Sequence, residues 1–165
     1  MLREMLIGTA AGAVGMVALN AVTYGDMAVR GRPASSVPAQ VAGELADKAG
    51  VDLSGEGESS DGSTAQNRRS GLGALQGYVV GLGVGTAYGL VRSGLRDVSK
   101  PRAGVVLGLA AMAGSDVPST ALGVTDPTSW GLNSWLSDLV PHLAYGLTTA
   151  VAYDAFAQGR SRRSL

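Results

Sequence analysis

Charged positions in this chain are absent from long stretches and crowded between them. Residues 5–25 run for 21 positions without a charge, and residues 70–91 for 22. Each meets the ~20 residues that cross ~30 Å of hydrocarbon as a helix. Over the 51 residues 103–153, formal charge sits only on Asp116, Asp126 and Asp138, with His142 titratable. That length makes two more crossings, with a turn at 124–128 around Pro127. The pattern predicts an all-α, integral membrane four-helix bundle in one domain, 1–165, with spans at about 4–28, 68–93, 102–123 and 131–158. A signal peptide is the competing reading of the first span. Glu4 and an apolar run longer than a ~7–15-residue core argue against it.

Residues 29–67 form the one long extramembrane loop. Val37, Val41 and Leu45 recur every four positions, one face of a short helix lying on the membrane surface. Ser36 is its expected N-cap, with Pro38 in the first turn. From Leu53 to Ser63 the chain is acidic and Gly/Ser-rich, which reads as flexible linker.

Composition narrows the class. Thirteen Lys+Arg balance thirteen Asp+Glu, so no basic excess points to nucleic acid. Charged residues are 16%, below the usual ~25%. With 25 Gly and one Phe, the chain is poor in the large side chains that fill a water-soluble core. No Cys excludes disulfides, thiolate metal sites and a catalytic thiol, and a single His excludes a multi-histidine centre. No cofactor or metal is expected.

Arginine and lysine near span ends set the orientation. Arg92, Arg96, Lys100 and Arg102 crowd the second loop, Arg160, Arg162 and Arg163 form a basic tail, and Arg3 precedes the first span. Both termini are therefore expected in the cytoplasm of a bacterial inner membrane. Arg30, Arg32, Lys48, Arg68 and Arg69 of the first loop dissent, among acids that offset them.

Gly73, Gly77, Gly81, Gly85 and Gly89 recur every four residues along the second span, a glycine zipper. Lipid supplies no hydrophobic drive between helices, so close backbone approach must supply the packing. Gly8, Gly12 and Gly15 with Ala11 give the first span a matching small face, and Gly104, Gly108 and Ala111 do so in the third. Packing within the chain, self-association into a homo-oligomer or larger complex, and a backbone-lined path all use such a stripe. Gly81-Leu82-Gly83-Val84-Gly85 is no dinucleotide turn, since position 88 is Tyr and no βαβ unit surrounds it.

Asp116, Asp138 and His142 are ionisable groups inside spans, which are costly there and face the bundle interior, a partner or water. Asp138 and His142 are four apart on one face. Asp116 and Asp138 lie equally far from the Pro127 turn, hence at similar depth. Asn20 and Gln76 fall at matching depth on the first two spans, completing a polar layer flanked by Tyr24 and Tyr145. Pro118 and Pro141 each free a carbonyl nearby. The bland alternative is a set of capping and solvated groups, with His142 bonding a freed carbonyl.

The pattern resembles the YagU-type family of small bacterial inner-membrane proteins. The resemblance rests on Gly8-Thr9-Ala10-Ala11-Gly12, Asn20, Arg30-Gly31-Arg32-Pro33, Tyr88-Gly89, Pro118 and His142. Where the family pattern has a histidine in the third span, this chain reads Ala113-Gly114-Ser115-Asp116. The resemblance implies a membrane protein linked in some members to acid tolerance. The expected function is a non-enzymatic accessory or assembly protein of the envelope. The alternatives are a small proton- or ion-coupled channel or transporter using the Asp/His layer, and a lipid-acting enzyme. No Ser-His-Asp order, paired His or phosphate loop supports the last.

Overall fold

The computed structural model describes residues 1–54, 62–95 and 97–158. The core of the acidic linker with Glu56, Glu58 and Asp61, the basic tail with Arg160, Arg162 and Arg163, and Arg96 lie outside the described residues. Among the described residues every regular element is helical: α1 (Leu2–Arg30), α2 (Val37–Lys48), α3 (Ser63–Val91), α4 (Lys100–Ala121) and α5 (Leu132–Gln158). Two short 3-10 turns, Arg92–Leu95 and Pro127–Ser129, fill the tight connections. The four long helices match the four expected spans to within a turn or so. α3 starts earlier than the hydropathy pattern placed it, because the polar run Ser63 to Arg69 is helical too.

The helices run up and down in sequence. α1 lies between α3 and α5 and packs along both, and α4 packs along α5. α3 and α4 touch over a short stretch only, and Gly114 there faces the Val80 side chain. The α1–α3 contact is antiparallel and made of backbone. A Cβ on Gly8 would sit 2.3 Å from the Gly85 carbonyl oxygen, and one on Gly89 2.1 Å from that of Glu4. Thr9 and Thr86 add a hydroxyl–hydroxyl bond of 2.7 Å across the same seam. Gly104 and Gly108 do not serve the α3 stripe. They receive α5, where a Cβ on Gly146 would lie 2.0 Å from the Gly104 carbonyl oxygen. The close approaches fall into two separate small-residue seams, α1 with α3 and α4 with α5.

The short helix forms where expected, with a different seat. α2 packs on α3, burying Val41, Ala42, Gly43 and Ala46, while Leu45 is 48% exposed. Its Pro38 carbonyl carbon would lie 2.5 Å from a Cβ on Gly73. Ser36 makes no side-chain cap bond. Ser35 Oγ instead accepts from the Val37 amide at 3.3 Å, and Ser36 Oγ accepts from the Gln40 side chain at 2.8 Å.

α1 and α3 are each long and apolar enough to cross a membrane, with window hydropathies of 1.8 and 1.3. Less than a third of either window is buried within the protein. Large apolar side chains point outward all round the bundle: Leu6 and Val17 on α1, Val79 on α3, Val106 on α4 and Val151 on α5 are all more than half exposed. The buried interior is built mostly from Ala, Gly, Tyr and Met.

Candidate functional site

The gap between α3 and α4 is a chamber of about 480 Å³, open on one side. α1 supplies Met16, Leu19 and Thr23 to it, and α2 covers it with Val37, Pro38 and Val41. α3 gives Gln76, Gly77, Val80 and Gly81, and α4 gives Ala111, Ser115 and Asp116. α5 gives Asp138, Pro141, His142 and Tyr145, and Arg32 and Trp130 lie at the rim. The wall surface is chiefly apolar, with polar side chains from α1, α3, α4, α5 and the connecting segments set into it, among them Thr23, Ser35, Thr125, Ser134 and Ser137.

Four of the five expected polar residues meet here: Gln76, Asp116, Asp138 and His142. Asn20 is half-buried on α1 and lies outside the chamber wall. Tyr24 is 62% exposed and flanks nothing, since its position turns outward on α1. Tyr145 lies in the wall itself, completely buried.

His142 is held by α5. Its Nδ1 is 2.8 Å from the Asp138 carbonyl oxygen and 3.4 Å from Asp138 Oδ1. Pro141 frees the carbonyl of residue 137, so this is not the bond the bland alternative described. Asp116 of α4 lines the same chamber as Asp138 and His142. Two enclosed side-chain atoms on the wall lack a hydrogen-bond partner, Asp138 Oδ2 and Gln76 Oε1. Ser115 turns its hydroxyl back to the Met112 carbonyl at 2.9 Å, a bond within its own helix.

Tyr145 is the residue sequence reasoning undervalued. Its hydroxyl donates to the Gly81 carbonyl at 2.5 Å, and its ring lies against Gly15 and Gly81. It thereby ties α5 to α3 at the chamber floor. Absence of a Cβ at positions 15 and 81, both within small-residue stripes, was the available signal. Gly77 faces the chamber, with nothing within 4 Å of where its Cβ would be.

Both ends of the bundle carry ion pairs. At the chamber rim Asp26 holds Arg30 at 2.5 Å and also pairs with Arg32, and Arg30 reaches Ser137 of α5. At the opposite end Asp154 lies 3.6 Å from Arg92 and 3.5 Å from Lys100. There Tyr153 donates to Glu4 at 2.5 Å, and the Tyr153 and Tyr88 rings meet edge to face. Among the described residues no group of three His, Cys, Asp or Glu is placed to hold a metal ion.

No family model matches this chain, and no curated protein or solved structure matches it either. The resemblance drawn from the sequence therefore stands on its quoted residues alone.

Proposed function

We propose that this chain is a multi-pass protein of the bacterial inner membrane, a non-enzymatic four-helix bundle that binds a small solute in its chamber and couples that binding to protons or ions. The observation that carries this reading is the convergence of Asp116, Asp138 and His142 on one mostly apolar space open on one side. Carboxylates close together in such a pocket favour a counter-charge, either a proton or a cation. A group that must exchange one for the other is the elementary part of a coupled carrier.

The outward apolar surface supports the membrane setting. Soluble proteins rarely expose contiguous apolar patches beyond a few hundred Å², and here such residues ring all four long helices. α4 and α5 cross as a hairpin whose two aspartates and histidine face inward. The Trp130–Trp135 pair, whose rings meet edge to face beside the chamber, suits the aromatic belt of a bilayer interface. The accessory-protein reading, with association through the glycine stripe, is less favoured. Gly8, Gly12, Gly81, Gly85 and Gly89 all face neighbours of their own chain.

The chain's lack of cysteine makes the test direct. In proteoliposomes, N-ethylmaleimide should label Ser115→Cys, on the chamber wall, at least tenfold faster than Val106→Cys, on the outward face of α4. Equal labelling of the two, with the bilayer intact, overturns the proposal.

A further inference from the structure

The chamber's unmet groups define the chemistry of its occupant. Charged or titratable groups reach it from three places. Asp116 comes from α4, Asp138, His142 and Tyr145 from α5, and Arg32 from the segment after α1. α2 and α3 contribute none. Arg32 is already taken by Asp26. Protonated His142 offsets one carboxylate at most, so with both carboxylates ionised the chamber carries an unmatched negative charge. Independently, the two enclosed side-chain atoms without partners on its wall, Asp138 Oδ2 and Gln76 Oε1, are both hydrogen-bond acceptors. An enclosed acceptor without a donor is costly. Each is satisfied by a ligand that brings N–H groups once its side chain turns into the chamber.

An anion meets two carboxylates and no free cation. A bare metal ion meets no three-ligand cluster among the described residues and is far smaller than 480 Å³. A neutral apolar molecule fills the space and leaves the charge and both acceptors unmatched. Resting on the chamber reading above, we infer that the occupant is a protonated amine with an apolar body, its ammonium on Asp116, Asp138 and Gln76 and its body against Met16, Val80 and Tyr145. An ammonium matches the acceptors because it offers several N–H donors together with the charge.

Charge-selective thiol labelling of full-length protein in proteoliposomes tests this. Ser115→Cys is treated with a trimethylammonium-ethyl or a sulfonato-ethyl methanethiosulfonate. The same thiolate attacks both, displacing methanesulfinate, so the ratio of their rates reports the chamber's field and not the thiol's ionisation. The cationic reagent should react at least tenfold faster, once corrected for the rates on free thiol. The ratio should fall towards one in the Asp116→Asn, Asp138→Asn double variant. 2-Phenylethylammonium should protect the thiol, while the similarly sized 3-phenylpropionate should not. Equal rates, or equal protection by the two probes, overturn the amine assignment and leave the chamber standing. If neither reagent reacts at Ser115→Cys or at Ser134→Cys nearer the mouth, the chamber reading falls and the inference with it. Where the double variant does not accumulate, Asp116→Asn alone must lower the ratio at least threefold, and an unchanged ratio overturns the assignment.

Discussion

Along α3 one spacing of glycine meets two different surroundings. At Gly85 a Cβ would lie 2.5 Å from the Gly8 carbonyl oxygen and 2.7 Å from the Gly12 Cα, so backbone rests on backbone. Two steps of the repeat earlier, roughly 12 Å along the axis, the Gly77 position meets nothing within 4 Å. The first region is a seam and the second a chamber wall. A missing side chain therefore means contact where a neighbour's backbone approaches and volume where it does not. What separates the cases is the partner: α1 closes on α3 near Gly85, whereas α4 stands away from α3 on the chamber side.

The largest way to break this contrast is Gly85→Leu. No flexible side chain can yield there, so the seam must part, and overpacking of backbone contacts should cost ~3 kcal/mol or more. Thermal unfolding in detergent should show loss of a folded transition, and wild-type stability would refute the seam. Gly81→Leu should be milder, roughly 1–2 kcal/mol, because the nearest obstacle is the flexible Met16 side chain at 2.2 Å. Gly77→Leu sharpens the comparison from the other side. It should leave the melting temperature within a few degrees of wild type while lowering maleimide labelling of Ser115→Cys more than tenfold. Unchanged labelling would mean the wall at Gly77 is not where the chamber is.

Tyr145→Phe probes the floor between the two regions. Removing the hydroxyl that donates to Gly81 should cost about 1 kcal/mol, read as a lowered melting temperature with the bundle intact. The smallest effect is at the hairpin turn. Thr128, through its hydroxyl and its amide, holds the Asp126 carboxyl below its ordinary value of 3.8. A depressed carboxylate contributes above the unfolded value and loses that contribution as pH falls through the folded one. Asp126→Ala should thus be slightly less stable than wild type at neutral pH and indistinguishable from it in strong acid. A difference that persists in acid would show that the turn does not depend on this charge.

The helices were legible because length without charge is a one-dimensional property. The turn at Pro127 and the α2 start at Val37 were legible for similar reasons, being local chemistry. Asp116, Asp138 and Gln76 could be grouped by counting depth from a turn. Asn20 met the same count and still lies outside the wall, which α1 lines with Met16, Leu19 and Thr23. The pairing of Gly104 and Gly108 with Gly146 was hidden for a related reason. A small-residue face says that something comes close, and only the arrangement of helices says which.

The central place of α1 also bears on how the protein is made. Its two small faces are completed by residues synthesised much later, Gly85 and Gly89 of α3 and then Tyr145, Thr149 and Tyr153 of α5. Roughly a hundred residues separate α1 from α5, and at ~5–20 residues per second that is on the order of ten seconds of translation. Until α3 and then α5 follow, the earliest helix has its glycines uncovered. Neighbouring nascent chains on one polysome then compete for the seat that α3 and α5 will fill, and crossed dimers are the failure that this order of synthesis invites.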